Sequence, residues 1–269
     1  SRDFVWEPRR VPEFNQTVVV KLGGSTLGAH DTTLSDIAAL HRRGVPIVVV
    51  HGGGAEITRW LDIHKVESHF VDGLRVTHGP TLDVVVAVIA GLINKQLVAQ
   101  LAGLGVRALG LCGADGGLLR AEIDQPALGF VGAVREVDVA LLQMLLNAGI
   151  VPVIAPIAIH IGKGSGQLLN VNADTVAGEI AAVLNHCRLV FLTDVAGVQD
   201  GNGDLVHRLT SEDTNRLRGS GVLKGGMIPK IEACFRAAAA GSRPVIVDGR
   251  QEHALTKAIG TEPVGTLVG

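Results

Sequence analysis

A lysine leaves an apolar run at Lys21, where VVV leads directly into KLGGS at residues 21–25. The adjacent Gly23 and Gly24 let the backbone approach a bulky anion and point its N–H groups at phosphate oxygens. Lys21 would add a fixed positive charge at the end of the strand. The alternative is a solvated lysine before an ordinary glycine turn, so this motif alone leaves phosphate binding open.

A second glycine-rich segment, HGGGAE at residues 51–56, follows the apolar run PIVVV and precedes a predicted helix. Gly52 and Gly53 would leave backbone donors free at the helix N-terminus, where the helix dipole also favours an anion. A dinucleotide-binding GxGxxG motif starting at Gly52 would need a glycine where Ile57 stands. No GxxxxGK[ST] motif occurs in the sequence, which excludes a P-loop. We interpret this segment as an anion-binding site.

Two further predicted loops contain polar side chains that could bind a ligand. Arg75, in GLRVT, could hold a carboxylate through two parallel hydrogen bonds, although a surface ion pair is the commoner role of an arginine. In NVNADT, the residues Asn170, Asn172 and Asp174 alternate, which would place their side chains on one face of an extended segment. Asp174 alone could instead be a helix N-cap.

Two later segments complete the set of candidate loops. Thr193 and Asp194 follow the apolar run RLVFL, at the end of another predicted strand. Lys230 follows a glycine pair in GGMIPK at residues 225–230, and its alternative role is that of a cation on a helix surface.

Apolar β-branched runs alternate with helical patterns along the chain, which predicts a mostly parallel sheet between two helix layers, a three-layer αβα sandwich. In such sheets ligands bind beyond the carboxyl ends of the strands, where the glycine-rich and polar motifs would meet. The predicted strands are 17–20, 46–50, 106–111, 151–154, 188–192 and 244–247. The predicted helices lie near 33–43, 55–63, 81–103, 137–148, 173–185 and 227–240.

The overall composition excludes several classes of protein. Of the 269 residues, 47% are hydrophobic and the net charge is only −2, which favours a large core and argues against a nucleic-acid surface. The longest apolar run, 84–93, is too short for a membrane span and is interpreted as a buried helix. Residues 1–16 lack a signal-peptide core and are interpreted as a flexible or docking arm.

The cysteines and histidines predict neither a disulfide framework nor a metal site. The three cysteines are far apart and form no CxxC pair, which indicates free thiols in a reducing cytoplasm. The ten histidines are scattered and form no HxxxH motif, so no structural metal is expected.

The motifs, taken together in their order, resemble those of the amino acid kinase family and, within it, the acetylglutamate kinases. The similarity extends from about residue 17 to the end of the sequence. KLGG is shared with sister kinases, whereas NVNAD together with GLRVT and GGMIPK is specific. The motifs that carry the resemblance are KLGGS, HGGG, GLRVT, AGLINK, LLNVNADTVAGEIA, LTDVAGV and GGMIPK.

The resemblance implies two lobes on one continuous sheet and a phosphotransferase activity. An N-terminal lobe at about 17–168 would bind the acceptor and mediate dimerisation, and a C-terminal lobe at about 169–269 would bind ATP. The expected reaction transfers the γ-phosphoryl group of ATP to the side-chain carboxylate of N-acetyl-L-glutamate, in arginine biosynthesis. Mg²⁺ would enter with ATP and need few protein ligands. A homodimer is expected, with a hexamer of dimers as the alternative.

The resemblance also implies a role for each candidate residue. Lys21 and Lys230 would neutralise the phosphoryl group in the transition state, and Asp174 would orient the two lysines. A second set would bind the nucleotide: Gly23, Gly24, Thr193 and Asp194. A third set would bind the acceptor, with Arg75 and Asn170 on its α-carboxylate: Gly52, Gly53, Arg75, Asn170 and Asn172.

Some features leave the acceptor and the regulation open. Ala114 stands where relatives often carry lysine, and His78 where aspartate is frequent. One alternative is a kinase acting on carrier-protein-linked aminoadipate or glutamate, although the plain GLRVT motif favours a small free substrate. Another is a non-catalytic arginine-binding sensor, against which Lys21, Asp174 and Lys230 argue. Arginine sensitivity and the choice between dimer and hexamer are not decided by the sequence.

Overall fold

The computed structural model describes residues 16–23, 32–71, 73–162, 166–260 and 264–269. The predicted arm at residues 1–16 therefore lies almost wholly outside the described residues. The strands are β1 Val18–Leu22, β2 Ile47–His51, β3 Phe70–Val71, β4 Leu74–Arg75, β5 Ala108–Cys112, β6 Leu119–Ile123, β7 Val131–Val137, β8 Val151–Ala155, β9 Ile157–His160, β10 Leu168–Val171, β11 Arg188–Thr193, β12 Arg208–Leu209, β13 Arg243–Asp248 and β14 Thr266–Val268. The helices are α1 Thr33–Arg42, α2 Gly54–Ile63, α3 Gly79–Val86, α4 Asn94–Gly103, α5 Val139–Asn147, α6 Ala173–Leu184, α7 Ser211–Gly219, α8 Met227–Ala239 and α9 Ala254–Ile259.

Eight strands form the main sheet, in the order β12-β14-β13-β11-β1-β2-β8-β5. All neighbouring pairs are parallel except β13 and β14. The central strand β1 pairs with β2 and β11 so that Leu22 lies in register with both His51 and Leu192. Three of the predicted loops therefore leave the same edge of the sheet, side by side.

Helices cover both faces of this sheet. Val18 and Val20 of β1 lie in a buried cluster with side chains of α1, α4 and α9, whereas Val19 lies in a second cluster with α5, α6 and α8. Because successive side chains of a strand point to opposite faces, one valine-rich strand supplies both cores. The predicted three-layer αβα sandwich is confirmed.

A second, smaller sheet closes on itself in the order β10-β7-β6-β9, and sequence analysis did not predict it. Its strands mix parallel and antiparallel pairings and carry exposed charged side chains, such as Arg120 opposite Glu136. Strands of this kind lack the long apolar runs on which the prediction depended. The sheet ends at Val171, directly before α6.

The predicted helix 81–103 is a continuous helical segment over Gly79–Gly103 with a π-helical stretch, Ala87–Ile93, between α3 and α4. By length and composition alone this segment could cross a membrane. In the fold, Val85, Val88 and Ile89 pack against α2, and Leu97 and Leu101 pack beneath the main sheet. The apolar run 84–93 thus lies in a helix that contributes to two core clusters.

Candidate active site

Lys21 and Lys230 converge on the carboxylate of Asp174. Lys21 Nζ lies 2.7 Å from Asp174 Oδ1, and Lys230 Nζ lies 3.0 Å from Asp174 Oδ2. All three side chains are buried, with 6 to 8% of each residue exposed. The structure therefore brings together three residues, the first and last of which lie 209 positions apart in the sequence. The alternative interpretations, that Lys21 is solvated and that Lys230 lies on a helix surface, are therefore both wrong.

The electrostatics of the cluster follow from its burial. Burial alone would raise the pKa of Asp174, but Lys21 and Lys230 outweigh it and hold the pKa below its usual value. Burial lowers the pKa of Lys230, and Lys21 adds to this effect while Asp174 opposes it. The Lys230 ammonium also lies 5.0 Å from the centroid of the Phe191 ring. With all three groups ionised the cluster carries one net positive charge.

Strand periodicity directs Lys21 towards the helices that carry its partners. Lys21 is two residues from Val19, so both side chains face the layer that contains α6 and α8. Its neighbour in register on β11 is Phe191, which lies beneath Lys230. A shift of register by one residue would direct the lysine to the opposite face of the sheet.

The close packing of α6 and α8 brings Asp174 to Lys230. A Cβ added at Gly178 would lie 2.7 Å from the Cβ of Ala233 and 2.8 Å from its carbonyl oxygen, so only glycine allows this approach. Asp174 lies four residues before Gly178, and Lys230 lies three residues before Ala233, which places each on the contact face of its helix. Gly178 thus sets the distance between the two charged side chains.

Asn172, and not Asp174, caps helix α6. The Asn172 Oδ1 accepts hydrogen bonds from the backbone N–H groups of Asp174 (2.8 Å) and Thr175 (3.2 Å). The helix starts at Ala173, so the extended alternation predicted for Asn170, Asn172 and Asp174 does not occur. The cap leaves the Asp174 side chain free to bind the lysines.

The HGGG turn lies beside this cluster. A Cβ at Gly52 would lie 4.0 Å from both Ala173 Cβ and Leu22 O, which places the turn between the ends of β1 and α6. The Gly52 N–H donates to Leu22 O (3.3 Å), and the Gly23 N–H donates to Leu192 O (3.1 Å). Gly24 lies outside the described residues.

Arg75 is buried, and it forms no surface ion pair with the residues that the structure describes. Its guanidinium donates to Gly54 O (3.0 Å), to Thr58 Oγ1 (2.8 Å) and to the Ser68 hydroxyl. The Phe70 ring lies beneath it, 4.5 Å from the guanidinium carbon. Burial lowers the pKa of Arg75. Among the described residues its hydrogen-bond partners are neutral oxygens, and Asp62 acts on it only through its charge, so the guanidinium retains charge with which to bind an anionic ligand.

Thr77, which sequence analysis did not single out, connects Arg75 to Asn170. The wholly buried Thr77 hydroxyl donates to Arg75 O (2.9 Å) and accepts from Asn170 Nδ2 (3.1 Å). Its position in the GLRVT motif was the available signal, since Thr77 lies two residues after Arg75. The two residues predicted to hold one carboxylate are thus parts of one connected structure.

Thr193 and Asp194 lie where β11 ends, one strand from Lys21. Thr193 is buried, and its hydroxyl donates to the exposed Asp194 carboxylate (3.3 Å). The Gly249 N–H donates to Thr193 O (2.7 Å) and ties this loop to the end of β13. Their role at the nucleotide stays a prediction.

The donor set of the site does not suit a protein-bound metal. Across the described ranges, no group of three or more His, Cys, Asp or Glu side chains could hold a metal ion. In the central cluster, both carboxylate oxygens of Asp174 already bind ammonium groups.

Comparison with known proteins identifies the family. The model of the amino acid kinase family matches residues 16–248. The chain is 43% identical to the acetylglutamate kinase of Dehalococcoides mccartyi over 257 residues, covering 94% of each protein. It is 44% identical to that of Rhizobium leguminosarum bv. trifolii over 272 residues, covering 94% of this chain and 91% of the relative.

A solved structure has the same fold. The crystal structure of smu.665 from Streptococcus mutans UA159 superposes with a TM-score of 0.81 at 28% identity, covering 94% of this chain and 98% of that one. The sequence motifs, the sandwich fold and these similarities agree. This chain belongs to the amino acid kinase family.

Proposed function

We propose that this protein is an ATP-dependent acetylglutamate kinase, which transfers the γ-phosphoryl group of ATP to the side-chain carboxylate of N-acetyl-L-glutamate in arginine biosynthesis. The observation that carries the proposal is the convergence of Lys21 and Lys230 on one buried carboxylate, Asp174. The acetylglutamate kinases that share 43 to 44% of its residues support the choice of acceptor.

The proposed reaction needs charge neutralisation rather than a base. A carboxylate is ionised at neutral pH and is already a nucleophile. The difficulty is to bring it to a polyanionic phosphate and to stabilise the charge that spreads over the transferring oxygens. An ammonium group has three N–H donors, so Lys21 and Lys230 each keep donors for the phosphoryl group after binding Asp174.

Asp174 acts as a positioning residue in this proposal. It fixes both ammonium groups before the substrates arrive, so that little reorganisation is needed in the transition state. It neutralises only one of the two positive charges, and the remaining charge favours an anion in the site. Because the lysines keep its pKa low, Asp174 stays ionised at neutral pH.

Arg75, Asn170 and the glycines of the HGGG turn would bind the acceptor. The buried Arg75 guanidinium would pair with the α-carboxylate, and Asn170, bound to Thr77, would contact it from strand β10. The turn at Gly52 and Gly53 would seat the reacting carboxylate next to the lysines. Asn172 would contribute to this pocket mainly by capping α6.

Gly23, Gly24, Thr193 and Asp194 would border the nucleotide. In this arrangement the acceptor lobe spans about 17–168 and the nucleotide lobe about 169–269. Because the described residues offer no carboxylate set for a metal, Mg²⁺ would enter bound to the phosphates of ATP. The family resemblance supports a homodimer, with a hexamer of dimers as the alternative that light scattering would detect. The free thiols of all three cysteines suit a cytoplasmic enzyme.

The test is ADP release from ATP and Mg²⁺ with N-acetyl-L-glutamate, with L-glutamate and without acceptor. Hydroxylamine in a parallel reaction would convert the acyl phosphate to a hydroxamate and so identify the carboxylate as the acceptor. We expect ADP and hydroxamate only with N-acetyl-L-glutamate. Activity only with a carrier-protein-linked aminoadipate or glutamate would show that the protein is a kinase of a carrier-linked acceptor and not of N-acetyl-L-glutamate. Arginine binding without ATP binding, measured by isothermal titration, would make the protein a sensor.

A further inference from the structure

His51, at the end of β2, is buried and forms two hydrogen bonds that its sequence motif did not predict. Its Nδ1 lies 3.0 Å from Gly52 O, and its Nε2 lies 3.0 Å from Asn94 Nδ2. Only 1% of His51 is exposed. Burial lowers the pKa of His51 to about 4, so the imidazole is neutral at neutral pH and carries one proton.

The environment of Asn94 decides which nitrogen of His51 carries that proton. Asn94 is wholly buried, and its Nδ2 lies 2.9 Å from Val153 O, which can only accept. The amide nitrogen must therefore face Val153, and its second hydrogen points at His51 Nε2. The Lys95 ammonium donates to the amide oxygen of Asn94 (3.0 Å), which fixes the same orientation. Nε2 of His51 is thus an acceptor, and Nδ1–H donates to Gly52 O.

This hydrogen bond sets the direction of the next backbone donor. In a trans peptide the C=O and the following N–H point to opposite sides, and the described chain contains no cis peptide. With Gly52 O held by His51, the Gly53 N–H points away from the imidazole. That N–H lies at the start of α2, where backbone donors are free to bind an anion.

The π-helical segment holds the same turn from the other side. A Cβ at Gly53 would lie 2.4 Å from Ile93 Cδ1 and 3.6 Å from Ile89 Cγ1, so the segment packs directly on this glycine. Asn94 directly follows this segment, as the first residue of α4. π-helical insertions are frequent at functional sites, and this one places two apolar side chains and one amide on a single glycine turn.

We propose that His51 and Asn94 are positioning residues that orient the Gly52–Gly53 peptide so that the Gly53 N–H faces the transferring phosphoryl group or the acceptor carboxylate. The inference rests on the proposed phosphoryl transfer for its catalytic consequence. Neither residue is proposed to contact a substrate. Both act through the peptide, and Asn94 also joins the helix to strand β8 through Val153.

Two substitutions with the same branching and the same number of side-chain heavy atoms test this proposal. His51→Asn keeps a δ-position N–H that can reach Gly52 O, whereas His51→Leu has no donor. We expect kcat of His51→Leu to be roughly fivefold below that of His51→Asn, as the loss of one neutral hydrogen bond implies. The KM for ATP should be similar in both, and thermal unfolding would measure their stability. A merely structural role predicts the reverse order, because a buried amide is harder to accommodate than an apolar side chain.

Nuclear magnetic resonance gives a readout that does not depend on turnover. We expect the His51 nitrogen shifts of the wild type at neutral pH to show a proton on Nδ1 and none on Nε2. Inorganic phosphate should shift the Gly53 amide resonance in the wild type and in His51→Asn, and much less in His51→Leu. A wild type that does not phosphorylate N-acetyl-L-glutamate would refute the proposed function, and the Gly53 response would still decide this inference. Equal kcat for the two variants, or a proton on Nε2, would overturn it.

Discussion

Replacement of Lys230 by methionine removes one of the two cations while largely preserving the size of the side chain. Asp174 keeps its contact with Lys21 at 2.7 Å, so the buried carboxylate is not left unpaired. We therefore expect the fold to survive, with a loss of stability of about 1 kcal/mol, as for an average substitution. Turnover should fall much more than stability, because Asp174 cancels the charge of the remaining cation, Lys21, and leaves no net positive charge for the phosphoryl group.

The size of the effect on turnover follows from the charge that is lost. Two unit charges about 4 Å apart interact by about 4 kcal/mol at an effective dielectric of about 20. Since each ~1.4 kcal/mol of barrier is a factor of ten, the complete loss of this interaction would slow turnover by about 10³. Removal of a single transition-state donor in other enzymes costs about 10² to 10³. We expect Lys230→Met to lie in that range.

The assay is steady-state ADP release at saturating ATP and N-acetyl-L-glutamate, with urea unfolding of the same preparations. Lys257→Met, an identical substitution at an exposed lysine of α9, is the matched control and should retain wild-type turnover. Turnover of Lys230→Met within a few-fold of the wild type, in a protein that unfolds at the wild-type urea concentration, would refute the proposed role of this lysine.

Three further substitutions test how the site is built. Asp174→Asn leaves two ammonium groups buried without a counter-charge, so we expect the free energy of unfolding to fall by about 3 to 5 kcal/mol in urea at neutral pH. The pKa of Asp174 is lower in the folded state, so the ionised carboxylate stabilises the fold at neutral pH, and this contribution is lost as the pH falls towards that pKa. The free energy of unfolding of Asp174→Asn should therefore fall less steeply with acid than that of the wild type. Parallel curves of stability against pH would contradict this. Gly178→Val should separate α6 from α8 at Ala233 and lower both stability and kcat, and an unchanged kcat would show that the contact does not set the distance between the lysine and the carboxylate. Arg75→Lys keeps the charge but not the planar fork, so we expect KM for N-acetyl-L-glutamate to rise about tenfold or more while KM for ATP stays constant; equal changes in both constants would argue against acceptor binding by Arg75.

The fold was predictable from sequence where strands are buried on both faces. The valines of β1 and β2 are apolar without alternation, which indicated a parallel sheet between helix layers. In the smaller closed sheet, β6 alternates apolar and charged residues, whereas β7 carries two adjacent charges, Arg135 and Glu136. The two strands pair over a bulge between Arg120 and Ala121, so their partners depend on contacts that local patterns do not encode.

The site was predictable in its residue types and only partly in its geometry. Lys21 and Lys230 were identified from their glycine-rich loops, but their convergence depends on the register of β1 and on the close contact at Gly178. The role of Asn172 at the acceptor stays a prediction. Its capping of α6 was not predicted, because helix boundaries are set by such side chains and are difficult to place from a pattern. The hydrogen bond between His51 and Asn94 joins residues 43 positions apart, beyond the reach of any local motif.

The central claim is that two fixed cations meet on one phosphoryl group in transfer. The most direct measurement is a crystal structure with Mg²⁺, ADP, N-acetyl-L-glutamate and aluminium fluoride, a planar mimic of the transferring group. We expect Nζ of both Lys21 and Lys230 to lie about 3 Å from the fluorides while each still contacts Asp174. If the mimic bound away from either lysine, and the ammonium group of that lysine contacted Asp174 alone, the convergence of two cations on the phosphoryl group would be contradicted.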